Sequence, residues 1–163
     1  MKYYTGIGSR KAPIEILEFM NKIAKWLYNR DYILRSGGAE GSDSAFESGA
    51  FEKKQIFLPW PGFNESLVEF IEIPQKAYEI ASQVHPVWET LKPYVRDLHA
   101  RNAMQVLGQN LDDPSDFLIC WTKNGSTIGG TATAIRIAQE NDVPIINLWH
   151  EKDRNRILRN MNI

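Results

Sequence analysis

The 163-residue sequence predicts an α/β fold: a single doubly wound, mainly parallel sheet with helices on both faces. Two observations carry this. Short apolar or aromatic runs alternate along the chain with segments whose apolar residues recur at helical spacing. Three of those runs break directly into glycine-rich turns, as strands do when a helix must come next at once.

Lys2-Tyr3-Tyr4-Thr5 reads as the first strand, ending in Gly6-Ile7-Gly8-Ser9-Arg10. Pro13 stands at a helix start, where its missing N–H costs nothing. Ile16, Phe19, Met20, Ile23, Ala24 and Leu27 then share one helix face up to Asn29-Arg30. Tyr32-Ile33-Leu34 is a second strand that runs into the turn 36–43. Ala45, Phe46 and Ala50 mark the inner face of a second helix, and Gln55 to Leu58 a third strand closed by Pro59-Trp60-Pro61-Gly62. Helical spacing returns from Pro74 to Val84. Pro86 and Pro93 interrupt the next stretch, and a helix is expected over Asp97 to Leu107, capped by Gly108. Phe117 to Trp121 is a strand, Thr122 to Thr131 a glycine-rich turn, Ala132 to Glu140 a helix and Pro144 to Leu148 a last strand. Glu151 to Asn160 reads as a short surface helix. The sequence thus reads as one domain over residues 1–163, with 63–92 as an insertion or lid.

Apolar residues make up 43% and charged residues 24%, an ordinary globular balance, and the formal net charge is −1. That balance argues against a basic nucleic-acid arm. The single cysteine, Cys120, excludes an intramolecular disulfide and reads as a buried strand thiol. No apolar run approaches the roughly 20 residues of a membrane span, and the start lacks a signal-peptide stretch. No membrane association is expected, and the cytoplasm is the expected compartment.

The chemistry lies in the three turns. In a doubly wound sheet the carboxyl ends of the strands share one edge, where ligands bind. Gly6 to Arg10, Ser36 to Asp43 and Thr122 to Thr131 would converge there in a Rossmann-like arrangement. Gly8, Gly37, Gly38, Gly41, Gly129 and Gly130 let backbone approach an anion, and the helices after the turns aim N–H groups at it. Ser9, Ser36, Thr122, Ser126, Thr127 and Thr131 add hydroxyls, and Arg10 a bidentate charged donor. Each glycine taken alone is equally explained as turn punctuation. The turns are not a Walker loop, because no Gly-Lys-Ser/Thr completes the spacing. Nor are they the dinucleotide fingerprint, because the first turn lacks its third glycine.

Gly8-Ser9-Arg10, then 36–43 (Ser-Gly-Gly-Ala-Glu-Gly-Ser-Asp), then Arg101-Asn102, then 125–134 (Gly-Ser-Thr-Ile-Gly-Gly-Thr-Ala-Thr-Ala) resemble the DNA-processing protein A (DprA/Smf) Rossmann-like fold. That superfamily also holds the SLOG nucleotide-sensing domains and the Lonely Guy phosphoribohydrolases. The resemblance spans Tyr3 to Leu148, with residues 63–92 poorly matched. It implies a nucleotide-binding domain, with Asp43, Arg101 and Asn102 joining the turns as ligand contacts, and self-association into a homo-oligomer. The chain departs from the DNA-processing proteins in being nearly neutral. It departs from the Lonely Guy pattern, Gly-Gly-x-Gly-Thr-x-x-Glu, because Gly130-Thr131 is followed by Ala132-Thr133-Ala134 and no glutamate. Arg101 matches their upstream arginine.

Candidate carboxylates for chemistry on a sugar are Glu40, Asp43 and Glu47; the last two share a helix face. The structural alternatives are a helix N-terminal charge for Asp43 and a solvated helix residue for Glu47; Asp43 is the stronger functional candidate, because it matches the aspartate of the family's second glycine motif. The catalytic candidates are therefore Asp43, Glu47 and Arg101. His85, His99 and His150 lack a metal-ligand spacing, so no metal is expected, and no resident cofactor is implied. Trp60, between prolines at a strand end, is the best candidate to stack on a base, whereas Trp121 and Trp149 read as packing residues. The expected function is binding of a nucleotide or nucleotide-derived small molecule, as sensor, sequestering protein or hydrolase. The alternatives are a phosphoribohydrolase or N-glycosidase acting on nucleoside monophosphates, and a minimal DprA-like protein that binds single-stranded DNA. Near-neutral charge disfavours the last.

Overall fold

The computed structural model describes residues 1–162. Its strands are β1 (Lys2–Gly6), β2 (Tyr32–Ser36), β3 (Lys54–Ile56), β4 (Phe117–Cys120) and β5 (Ile145–Asn147). They form one all-parallel sheet in the order β3-β2-β1-β4-β5. β1 is central, and registers such as Tyr4↔Leu34 and Tyr4↔Phe117 fix which side chains share a face. The order reverses between β1 and β4, the topological switch point of a doubly wound sheet.

Among the described residues six helices cover the sheet: α1 (Ile14–Tyr28), α2 (Ser42–Ala50), α3 (Gln75–Val84), α4 (Pro93–Leu107), α5 (Ala132–Glu140) and α6 (Glu151–Asn160). Side chains alternate across each strand. Tyr4, Leu34, Ile119 and Ile146 pack with α1, α2 and α6 into one core. Leu118 and Cys120 pack with α3, α4 and α5 into the other. The expected stripe on α1 is real: Met20, Ile23, Ala24 and Leu27 are its buried residues. Cys120 is a buried free thiol on β4, as its apolar run suggested.

Several boundaries differ from those expected of the sequence; β2 runs on to Ser36 and β4 stops at Cys120. Pro93 does not interrupt a helix; it begins α4 in the first turn, four residues before the expected Asp97. An N-terminal proline gives up only an N–H that has no intrahelical acceptor. β3 covers Lys54–Ile56 rather than Gln55 to Leu58, although the Phe57 N–H still bonds the Ser36 carbonyl at 2.9 Å. β5 is likewise trimmed to Ile145–Asn147. Between β3 and α4, a 3-10 turn at Phe63–Glu65 leads to α3, whose Ala77 and Ala81 are fully buried beside α4 and α5, and a second at Trp88–Thr90 precedes α4. Among the described residues no helix is long and apolar enough to cross a membrane.

Candidate functional site

A cavity of about 630 Å³ opens at the carboxyl edge of the sheet, over the β1/β4 switch point. Segments from all three turns reach its wall: Ile7 to Arg10 after β1, Ala39 and Asp43 after β2, and residues between Thr122 and Thr131 after β4. The fourth wall is α4. Val95, Leu98, His99, Asn102 and Gln105 recur along it at steps of one, three or four residues and so share the face that closes the cavity.

The floor is polar, yet buried. Arg101 is 6% exposed and Asp43 4%. Arg101 donates through Nε to Asn102 Oδ1 at 2.9 Å, and through Nη1 to the carbonyls of Gly37 and Phe57. Its Nη2 has no acceptor among the described residues, and no carboxylate among them lies within ion-pair distance. Burial lowers its pKa to about 10, opposed by the Asp43 charge and helped by Arg10. Asp43 Oδ2 accepts the Ala39 N–H at 3.2 Å, and Oδ1 has no partner among the described residues. Burial pushes the Asp43 pKa up to about 6 against the pull of Arg101, the Ala39 N–H and Arg10. Asn102 donates to the Gly130 carbonyl at 2.9 Å, tying the floor to the third turn.

Two glycines make this packing feasible. A Cβ on Gly37 would fall 2.5 Å from Arg101 Nη1, so only glycine lets the guanidinium reach the Gly37 carbonyl. Gly41, at φ +79°, precedes α2, and a Cβ there would lie 2.5 Å from the Arg10 carbonyl. The first two turns are further joined by Ser42, whose hydroxyl donates to the Ser9 carbonyl at 2.7 Å.

The rim offers donors to an anion. Arg10 is exposed, and Ser9 presents its hydroxyl to the Lys11 N–H at 3.0 Å. α5 starts immediately after Gly129-Gly130-Thr131 with no side-chain cap, so its first N–H groups are not taken by a side chain. A Cβ at Gly129 or Gly130 would meet nothing within 4 Å. Thr122 is buried and accepts from Asn147 Nδ2 at 2.8 Å, which locks the turn to β5. The Ser126 hydroxyl donates to the Lys123 carbonyl at 2.8 Å.

Other sequence-selected residues lie away from the cavity wall. Ser36 is buried and donates to the Gly6 carbonyl at 2.6 Å. Gly38 gives its carbonyl to Asn64, and Thr127 its carbonyl to Arg136. Glu40 is exposed. Glu47 pairs with Lys54 at 2.8 Å on the edge of a different hollow. Trp60 packs edge-on against Phe63 and Tyr94, not into the cavity.

Residues that the sequence pattern did not single out line the wall instead. His99 is 7% exposed and its Nδ1 lies 2.7 Å from Thr133 Oγ1. Its ring packs edge-to-face with that of His85, with centroids 4.5 Å apart. Burial, then His85, Arg101 and Arg136, lowers the His99 pKa to about 4, so the ring is neutral at physiological pH. Gln105 is 2% exposed; turned with its amide oxygen inward, it accepts from Arg101 Nε and the Gly37 N–H at 3.3 Å each. The available signal was the spacing of polar residues along α4.

No family model matches the chain, and no curated protein sequence matches it. Among solved structures the chain is similar to DNA processing protein A from Helicobacter pylori, whose structure was described for its single-stranded DNA binding mode. The two share 18% sequence identity with a TM-score of 0.59, over 98% of this chain and 72% of that one. At that identity the likeness is one of fold: a Rossmann-like sheet like that of DNA processing protein A.

Proposed function

We propose that the cavity binds a nucleotide or nucleotide-derived small molecule. In this reading its phosphate sits at the rim, between Gly8-Ser9-Arg10 and the start of α5. Backbone N–H groups and the helix dipole favour negative charge there, and Arg10 adds a permanent one of opposite sign. The apolar wall of Ile7, Val95 and Leu98 is suited to a base. The observation that carries the reading is Arg101: a buried cation with no carboxylate partner among the described residues, facing a cavity of ligand size. A buried donor without an acceptor is costly, and a ligand group that accepts from it offsets that cost. Binding without turnover is favoured, because the residues after Gly130-Thr131 supply no glutamate, which leaves Asp43 as the lone carboxylate among the described residues that line the cavity.

The likeness to the Helicobacter pylori protein supports a second reading, a single-stranded DNA-binding module. The near-neutral charge speaks against it, since a DNA groove needs many cations along its length.

One experiment separates these readings. Small molecules released from denatured protein are identified by mass spectrometry, and a nucleotide panel and oligothymidylate are titrated at physiological salt. Nucleotide binding is expected, weakened by Arg10→Ala by about 1.5–3 kcal/mol. Gly130→Val should weaken it without unfolding the protein, because its side chain enters open space. Tight oligothymidylate binding with no nucleotide binding would favour the DNA module. Free base that accumulates with wild type, but not with Asp43→Asn, would make the protein a hydrolase.

A further inference from the structure

We infer that the cavity floor reads the vicinal hydroxyls of a ribose, Asp43 accepting from them and Arg101 Nη2 donating to them, so that the ligand is a ribonucleotide and not its deoxy counterpart. The inference rests on the nucleotide reading above and names the sugar that this site selects.

Two charged side chains, each more than nine-tenths buried, are left half-satisfied on the same cavity floor. Asp43 spends one oxygen on the Ala39 N–H and keeps the other for a ligand. Arg101 spends Nε and Nη1 on Asn102, Gly37 and Phe57 and keeps Nη2. They form no ion pair with each other, so neither satisfies the other.

A carboxylate acceptor beside a guanidinium donor complements a group that both donates and accepts. Hydroxyls do both; a phosphate only accepts, and Asp43 would repel it. The position along the ligand points the same way. Arg10 is close enough to act electrostatically on both Asp43 and Arg101. Arg10 and Asp43 line the same cavity, so a nucleotide whose phosphate is held by Arg10 can place its sugar over Asp43. The base extends toward the apolar residues of α4.

Removing one hydroxyl strands a buried carboxylate oxygen, which is why a polar site of this kind rejects an analogue that lacks the group. The same argument disfavours deoxyribose strands as occupants of the cavity.

The test is calorimetric titration of the wild-type protein with ribonucleoside 5′-monophosphates, their 2′-deoxy and 2′,3′-dideoxy counterparts, and ribose 5-phosphate. The 2′-deoxy compounds are expected to bind about tenfold more weakly and the dideoxy compounds about 100-fold, with ribose 5-phosphate competing for the site. Asp43→Asn keeps an amide oxygen for the Ala39 N–H and should bring the ribose-to-deoxyribose ratio within about threefold. Equal binding of ribo- and deoxyribonucleotides by wild type overturns the inference while leaving the nucleotide reading intact. So does an unchanged ratio in Asp43→Asn, or a preference for one base whatever the sugar, which would put a base edge over Asp43. Absence of binding by every compound overturns both. The wild-type ratio decides the matter even if the variant does not fold.

Discussion

Arg35 and Arg101 are both buried, and they are used in opposite ways. Arg35, on β2, is 2% exposed, and four of its five N–H groups donate to protein acceptors. It donates to the Asp113 carboxylate at 3.0 Å, the Asp113 carbonyl at 2.6 Å, Ser115 at 3.2 Å and Gln55 at 3.3 Å, and it lies 4.0 Å over the Tyr3 ring. Thr5 extends this network from β1 to the Gln105 carbonyl of α4. Among the described residues Arg101 has only neutral acceptors, its Nη2 has none, and the residue lines a cavity. A buried cation paired with a carboxylate ties elements together; one that keeps a nitrogen without an acceptor at a cavity is disposed to take a ligand.

Replacing each arginine by methionine tests that contrast most strongly. Arg35→Met should cost about 3–4 kcal/mol, because it leaves the Asp113 carbonyl and the Gln55 side chain without their donor and loosens β2 from the loop after α4. Urea unfolding measures this. The nucleotide affinity of the protein that remains folded should be unchanged. The comparison breaks if Arg101→Met costs as much stability or spares binding.

Asp43→Asn should have the next largest effect, with a sign that depends on pH. The folded-state pKa of Asp43 is raised from 3.8 to about 6, so the folded protein holds more protons than the unfolded chain between those values. Stability is therefore lost as pH rises through that window, by up to about 3 kcal/mol. Asparagine does not carry this cost. The variant should be the more stable protein at neutral pH, with the difference gone near pH 4. His99 runs the other way. Its folded-state pKa is lowered from 6.5 to about 4, so its contribution is present above 6.5 and is lost as acid is added. The two trends oppose each other in the wild type, and Asp43→Asn should leave the His99 trend uncovered. A stability difference between variant and wild type that is flat from neutral pH to about pH 4 would refute the buried-carboxylate account.

Arg101→Met is expected to cost only about 1–2 kcal/mol of stability, since the lost bonds to Gly37 and Phe57 are offset by removal of an unpaired buried charge. Asp113→Asn should have the smallest effect, under about 1 kcal/mol, because its side chain is 61% exposed and keeps an oxygen for Arg35. A large effect there would mean that charge, not the number of donors satisfied, holds Arg35.

Much of the fold was legible in order along the chain. The five strands, the stripe on α1 and the turns that end β1, β2 and β4 are local patterns: apolar periodicity, and glycines where backbone must turn. The convergence of the turns was legible too, because parallel strands put their carboxyl ends on one edge. The ends of β3 and the start of α4 were not. Strand limits depend on the partner strand, and Pro93 begins a helix as readily as it stops one.

The sequence by itself determined which segments would meet at the sheet edge, since strand–helix alternation and glycine placement are properties of neighbouring residues. Tertiary structure alone decided what their side chains face. α4 is buried from His99 to Leu107 without a polar side of its own, because it is covered by the sheet, α3 and α5 together. Its His99, Arg101, Asn102 and Gln105 therefore read along the chain as ordinary helix polar residues, though the packing makes them the wall and floor of a cavity. Asp43 and Glu47, four residues apart on α2, part in the same way: one enters the cavity and the other pairs with Lys54. Helical spacing sets the direction of a side chain, but the elements packed around it decide whether it meets water, another residue or a ligand.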